Sequence, residues 1–551
     1  MEGFGPRVRD LAALTRGEAH DALVIHQSAR RPSLTGSPED ARADRPTPQA
    51  RTSYVDLAVI LALLVLAVLI RRPWYMLQHP FWLDEAWVAD SLRAPLKSLP
   101  FLTSSTPLGW TALLRAVPPV GGQERYRLLP LLFATASVLP GYALGRILFP
   151  EGRLGAALTG LTLAIIPVGL LRHDLKQYTA DAFMAVLLLF LTARLEREWS
   201  LQHLVTFSVA SAAGLLISHT TAFFASSVLA ALFLVNIGRG AWNRVRDVAT
   251  AGGALLLLSL AIYIGIDRRG INPRLIAYWS RFYVPLGRGV LTAVDFVLHR
   301  GSTLLTGLYL GPWWLALLLV VLGAVSLWRR GYPALALVIP LVAIEMVIAS
   351  LGRRYPLWVQ RTSLSFTTAL TLAAAVGVIT VAVALKRHRS TAMLVAVSFL
   401  ALLAVGASRT YGTPLPNEDV RGAAEFVATH RRPGDSILVS RQAGYGFAYY
   451  WDLDRPLFVP TIIADVSFDV RYAEGSRIVV ASGFAGVDIA KAFDIAEGHT
   501  ASGGRIWIVL SHLAKHERAL WLESARAMGH ISGVPGFHRY LYLVGPSPVA
   551  G

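Results

Sequence analysis

The chain has 551 residues, of which 54% are hydrophobic and only 16% charged, a balance outside the range of soluble globular proteins. Its net charge of +17 comes from short basic clusters between apolar runs rather than from one polar face, which favours anionic membrane lipid and not nucleic acid as a partner. Cysteine is absent, so disulfide and thiolate chemistry are excluded.

Residues 1–53 are rich in Arg, Asp, Pro and Ser without sustained apolar periodicity, and are expected to form a basic, disordered cytosolic tail. Apolar runs of spanning length follow near Tyr54–Ile70, Leu128–Phe149, Gly155–Leu171, Thr179–Arg194, Leu201–Ser218, Thr221–Ile237, Val248–Ile266, Thr306–Trp328, Pro333–Leu351, Thr362–Leu385 and Thr391–Ser408. That predicts about eleven transmembrane helices over residues 54–408, unless the runs flanking Ser218-His219-Thr220-Thr221 form one long helix. An odd count puts the tail and the C-terminal segment on opposite sides. Basic clusters at Arg239/Arg244/Arg246, Arg329/Arg330 and Lys386/Arg387/Arg389 then lie inside, although outer Arg residues are about as numerous.

Two pieces outside the spans matter. The first outer loop, residues 71–127, carries an acidic pair in Pro80-Phe81-Trp82-Leu83-Asp84-Glu85-Ala86-Trp87. Carboxylates framed by aromatics at a bilayer edge suggest a polar cavity with a task, the alternative being solvated loop residues between interfacial Trp anchors. Residues 409–551 read as a small extracytoplasmic α/β domain. A helix is expected over Asp419–His430, a turn at Pro433-Gly434-Asp435, strands at Ser436–Ser440, Arg477–Ala481, Arg505–Leu510 and Tyr540–Val544, and a helix over Glu517–Met528.

A second acidic site, Arg172-His173-Asp174-Leu175-Lys176-Gln177-Tyr178, is a tight loop on the same predicted face as Asp84. It is either a solvated turn with internal pairing or the other wall of a shared cavity. Arg268, Arg269, Arg274 and Arg281 lie among Tyr278, Trp279, Phe282 and Tyr283, a mixture suited to an interfacial segment on anionic headgroups. Glu345, inside an apolar run, is either functional or paired with a neighbouring Arg. His512, His516 and Glu517 fit a solvated helix face better than a zinc site.

In order, these motifs resemble the polyprenyl-phosphate-sugar-dependent glycosyltransferases of the C superfamily, especially the protein O-mannosyltransferase and aminoarabinose transferase group. The acidic pair Asp84-Glu85, the segment Thr106-Pro107-Leu108-Gly109-Trp110, the Arg-x-x-Pro of Arg127-Leu128-Leu129-Pro130, and Asp174-Leu175-Lys176-Gln177-Tyr178 in place of Glu-x-Arg-x-Tyr carry the likeness. Ser218-His219-Thr220-Thr221 and Arg353-Arg354-Tyr355 through Arg361 extend it.

The resemblance implies a polytopic α-helical membrane protein of glycosyltransferase C type that moves a sugar from a polyprenyl-phosphate donor to a cell-envelope acceptor on the outer face of a bacterial plasma membrane. It implies Asp84, Glu85 and Asp174 as catalytic carboxylates and Asp84 as the base. Lys176, Tyr178, Arg354, Arg361 and Arg172 would hold the donor phosphate, and His219 and Trp87 would line the acceptor pocket. Inversion is expected, because no covalent glycosyl-enzyme step is required. No metal is obligatory, although oxygen ligands from Asp84, Glu85 and Asp174 suit a divalent cation. Two other readings remain open: a transporter or flippase of a lipid-linked saccharide, and a non-catalytic membrane scaffold. Sugar, acceptor and oligomeric state are not legible.

Overall fold

The computed structural model describes residues 53–95, 98–102, 106–120, 122–166, 174–385, 387–412, 418–461, 468–537 and 539–545. The expected tail before Ser53 therefore lies outside the described residues. Ser53 and Asp56 form a reciprocal capping box that closes the start of the Tyr54–Arg71 helix. Asp56 also accepts the Tyr142 hydroxyl at 2.7 Å and lies 3.3 Å from Arg153, so its charge is paired within the bundle.

Among the described residues, eight helices are long and apolar enough to cross a membrane, and three shorter apolar helices accompany them, Arg153–Ile165, Leu201–Ile217 and Trp313–Arg329. Together they occupy the eleven apolar runs. The second run is not one smooth helix but two segments, Leu128–Ala136 and Val138–Leu148. Pro140 explains the break: it has no N–H for the Ala136 carbonyl, and its ring crowds that oxygen. Ser218 adopts extended backbone between the Leu201–Ile217 and Thr221–Gly238 helices, so that pair is a hairpin rather than one long helix.

Two helices form the centre. Leu364–Ala384 is buried on every face from Leu364 to Ile379, and Tyr178–Arg197 is buried along most of its length, as all-round apolar sequences require. Leu364–Ala384 approaches Trp313–Arg329 closely, because Gly377 and Gly323 each face the partner backbone where a Cβ would collide. Among the described residues Glu345 forms no ion pair with an Arg, the second of the two alternatives: its carboxylate accepts hydrogen bonds from Ser226 (2.6 Å) and Ser227 (3.0 Å) on the Thr221–Gly238 helix.

The C-terminal layer holds a five-stranded sheet in the order β4-β1-β5-β7-β6, with β1 Ser436–Val439, β4 Ile478–Val480, β5 Ile506–Val509, β6 His530–Gly533 and β7 Leu541–Gly545. Strand β1 runs parallel to β4 and β5, with Ile437 opposite Ile478 and Trp507, whereas β7 is antiparallel to β5 and β6. Both β1 and β5 are buried at every position, since helices Val420–His430, Arg441–Tyr450, Gly486–His499 and Lys515–Met528 cover the sheet. A short antiparallel pair, β2 Leu457–Pro460 and β3 Phe468–Arg471, stands apart.

This layer shares its core with the segment after the first helix. Phe81, Trp87, Leu99, Trp110 and Leu175 are buried in the same cluster as Val427, Ile437, Phe447, Tyr450 and Trp507. Polar ties reinforce the seam: the Tyr450 hydroxyl accepts the Phe81 N–H at 2.7 Å and donates to Glu124, and Arg93 donates to the Ala448 and Tyr449 carbonyls.

Candidate functional site

Three chain segments meet where the bundle adjoins the α/β layer. The Leu83–Ser91 helix places Asp84 in its first turn, where the positive helix end favours a carboxylate. Residues 174–177 lead into Tyr178–Arg197, and residues 352–363 lead into Leu364–Ala384. The site therefore lies at the N-terminal ends of the two central helices, which favours negative charge there.

The side chains converge as ion pairs. Lys176 Nζ donates to Asp84 Oδ2 at 3.2 Å, and Arg361 Nη1 lies 3.0 Å from that same oxygen and 3.5 Å from Asp174 Oδ2. Asp174 Oδ1 accepts the Lys176 backbone N–H at 3.0 Å, which fixes the turn that presents the ammonium group. Aromatic faces bracket both cations: Trp87 lies 5.1 Å from Lys176 Nζ, while Trp82 and Tyr178 lie 5.5 and 5.6 Å from the Arg361 guanidinium. Asp174 is buried, whereas Asp84 keeps 20% and Arg361 30% of its side-chain surface, so those two form the open side.

Position sets the electrostatics. Burial works to raise the Asp84 carboxyl, but the charges of Lys176 and Arg361 outweigh it and hold the group below its ordinary value. Asp174 lies deeper, and there burial prevails over Arg361 and Lys176, so its carboxyl is pushed up. Burial opposes the Arg361 charge, yet Asp174, Tyr178 and Asp84 together hold the guanidinium above its ordinary value and firmly protonated.

Glu85, although adjacent in sequence, faces away. It is fully buried against Arg127, whose Nε donates to Oε1 at 2.7 Å and whose Nη2 contacts Oε2. Arg127 also donates to the carbonyls of Met76, His79 (2.6 Å) and Pro80 (3.2 Å), so the pair staples the loop ahead of the Asp84 helix to the start of the next membrane helix. Burial pushes the Glu85 carboxyl up while Arg127 opposes it. A second anchor is Trp110, fully buried, whose indole N–H donates to the Leu175 carbonyl at 2.7 Å and steadies the Lys176 turn. Gly109, beside it, lets this segment pack against the end of the Leu201–Ile217 helix, since a Cβ there would meet the Leu216 carbonyl oxygen at 2.5 Å.

The α/β layer reaches the rim. Glu418 Oε2 accepts the Leu83 N–H at 3.0 Å, capping the helix that bears Asp84, and Glu418 Oε1 lies 2.6 Å from His512 Nδ1. The His512 ring lies 6.3 Å from that of Trp82. The hydrogen bond it donates to the Glu418 carboxylate raises the imidazole above its ordinary value despite partial burial. His512 is exposed, as expected, but it is not on the helix face: it precedes the Lys515–Met528 helix, in left-handed backbone with φ 53°, and is tied to the site's rim.

Of the residues singled out from sequence, Asp84, Asp174, Lys176, Tyr178, Arg361 and Trp87 come together. Arg354 is exposed on the 352–363 loop, outside the cluster. His219 sits half-buried in the turn between two helices, its imidazole pushed down by burial while Asp267 opposes. Arg172 lies outside the described residues. Sequence spacing gave no sign of the Glu85–Arg127 staple or of the contact between Glu418 and His512. Among the described residues, no three or more His, Asp or Glu side chains gather as a metal-ion site.

No family model and no curated protein sequence matches the chain. Solved structures do. The crystal structure of the oligosaccharyltransferase of Archaeoglobus fulgidus, in complex with Zn and sulfate, is similar with a TM-score of 0.52 and 14% identity over 89% of this chain and 74% of that one. The crystal structure of ArnT from Cupriavidus metallidurans bound to undecaprenyl phosphate is similar with a TM-score of 0.52 and 13% identity over 91% of this chain and all of the other. The chain thus shares the fold of these two structures: a polytopic arrangement of apolar helices with a small C-terminal α/β layer.

Proposed function

We propose that the chain is a membrane glycosyltransferase that moves a sugar from a polyprenyl-phosphate donor to a cell-envelope acceptor on the extracytoplasmic side of a bacterial plasma membrane, with inversion. The observation that carries this reading is the sharing of two cations, Lys176 and Arg361, by one half-buried carboxylate at the N-terminal ends of two central helices. The fold it shares with an undecaprenyl-phosphate-bound protein supports the same donor class.

The reaction follows from the groups present. The acceptor hydroxyl oxygen attacks the anomeric carbon as its proton passes to Asp84, and the bond from that carbon to the phosphate oxygen breaks with its electron pair going to the phosphate. A phosphodiester becomes a monoester with added negative charge, met by charge-assisted hydrogen bonds from Lys176 and Arg361. Asp174 orients both cations, Tyr178 lies beside the phosphate and Trp87 backs the ammonium group. Glu85 and Arg127 hold the Asp84 helix in place, and Arg354 and His219 lie outside the reacting group.

A carboxylate held between two cations is a weak base. On this reading the donor phosphate displaces Asp84 from Lys176 and Arg361, which frees the carboxylate and restores its basicity near the acceptor. Donor binding thereby arms the base. Leaving-group stabilisation is assigned to these cations with no obligatory metal; a divalent cation, where taken up, would use oxygens of Asp84 and Asp174 once Arg361 withdraws. A transporter would instead place ionisable groups along helix centres as well as at one end. The test is purified protein with candidate polyprenyl-phosphate sugars and cell-envelope acceptors. Product formation by wild type that Asp84→Asn abolishes supports the reading, and equal product from both rejects Asp84 as base.

A further inference from the structure

One helix outside the spanning set has a sidedness that packing within the chain does not explain. Val290–Thr306 is 17 residues long and is not among the apolar helices suited to crossing a membrane. It has three faces. Ala293, Phe296, Val297, Arg300, Gly301 and Leu304 turn inward; Thr292, Asp295, His299, Thr303 and Thr306 form an exposed polar face. Between these runs an exposed apolar stripe, Val290, Leu291, Val294 and Leu298, with Leu291 86% and Leu298 67% accessible. One polar exposed face beside one apolar exposed face is the pattern of a helix lying in a bilayer interface. The approach to the helix carries exposed Arg281 and Arg288, the charge that suits anionic headgroups.

The inward face grips the loop that carries Arg361. Arg300 Nε donates to the Leu357 carbonyl at 3.1 Å and Nη2 to the Trp358 carbonyl at 3.0 Å, three residues before the phosphate-facing guanidinium. The Leu357 N–H donates to Phe282 at 2.8 Å, and Gly301 lies so near Trp358 that an added Cβ would stand 3.1 Å from its ring. Trp358 itself holds a left-handed backbone, φ 47°, which a bulky residue adopts only when its surroundings impose it.

We propose that the Val290–Thr306 helix lies in the lipid interface on the side of the α/β layer, with Leu291, Val294 and Leu298 in the acyl region, and that this seating sets the position of Arg361 through Arg300. The bilayer is the occupant of the stripe, and the helix is a lever between lipid and the phosphate site. The coupling to donor binding rests on the function proposed above; the seating on lipid does not.

The absence of cysteine makes the test direct. Leu298→Cys and Asp295→Cys, each labelled with an environment-sensitive fluorophore, are placed in nanodiscs of equimolar phosphatidylcholine and phosphatidylglycerol. Quenching of the 298 label by doxyl-labelled lipid with protection from iodide, and the reverse at 295, is the expected result; equal access of iodide to both overturns the seating. For the coupling, Arg300→Ala and Leu298→Glu should each weaken undecaprenyl phosphate binding roughly five- to tenfold, the second by lifting the helix while leaving the clamp residues intact. Wild-type affinity in both variants overturns the lever. Wild-type protein that binds no undecaprenyl phosphate counts against the proposed function, and the quenching result stands apart from it.

Discussion

Asp84→Asn should have opposite effects on donor binding and on chemistry. Asp84 occupies both cations, at 3.2 Å from Lys176 and 3.0 Å from Arg361, so on the proposed function an incoming phosphate has to displace it. With an effective dielectric near 20 each contact is worth roughly 5 kcal/mol of gross Coulomb attraction. Rehydration of the freed carboxylate and the new phosphate contacts offset most of that, leaving a net competition of about 1–2 kcal/mol at this partly exposed position. The neutral amide keeps the shape and removes the competitor. Undecaprenyl phosphate should therefore bind roughly five- to thirtyfold more tightly to the variant, while sugar transfer falls by about 10²–10⁴ with loss of the base. Native mass spectrometry of the detergent-solubilised protein, titrated with undecaprenyl phosphate, reads the affinity. An affinity equal to or weaker than wild type would refute the idea that Asp84 and the donor compete for the same cations.

Glu85→Gln tests the neighbouring carboxylate. Since it strands the fully buried Arg127 charge, it should cost about 3–5 kcal/mol of stability, read as a lowered thermal aggregation temperature that Asp84→Asn does not share. Trp110→Phe removes the donor to the Leu175 carbonyl and should cost about 1–3 kcal/mol by the same measurement, with slower transfer from a loosened Lys176 turn. The Glu418–His512 contact predicts a pH dependence. Glu418 raises the folded-state pKa of His512 above its unfolded value near 6.5, so the stabilisation is fully present below about pH 6.5 and is lost as pH rises through the higher folded value. The thermal stability of His512→Asn should fall less than that of wild type between about pH 6 and about pH 9; an identical fall removes His512 from the explanation. Arg354→Ala should leave undecaprenyl phosphate affinity within about twofold of wild type, because the side chain is exposed outside the cluster.

Runs governed by local chemistry were readable from the sequence. The apolar lengths from Tyr54 to Ser408 identified the bundle, and continuous apolar stretches at Ser436–Ser440 and Arg505–Leu510 identified β1 and β5, which are buried on both faces. Two acidic loops with Lys176 and Arg361 nearby in function but not in numbering were also visible as candidates. Pairings between distant segments were not readable. Glu85 and Arg127 are 42 positions apart and Glu418 and His512 are 94 apart, and nothing in composition or periodicity says which carboxylate of Asp84-Glu85 turns outward. That choice is made by Arg127, held by three carbonyls of the preceding loop. Strands β2, β3 and β6 and the Arg441–Tyr450 and Gly486–His499 helices were missed. The first two strands are four residues long and pair only with each other, and Arg441–Tyr450 is rich in Gly and Tyr, which are poor local markers of helix.

The account depends most on where a polyprenyl phosphate sits. A cryo-EM structure of the protein in nanodiscs containing undecaprenyl phosphate should show the phosphate within hydrogen-bond distance of Lys176 Nζ and the Arg361 guanidinium, with the Asp84 carboxylate released from both. A phosphate bound elsewhere, with the Asp84–Lys176 and Asp84–Arg361 pairs intact, would contradict it.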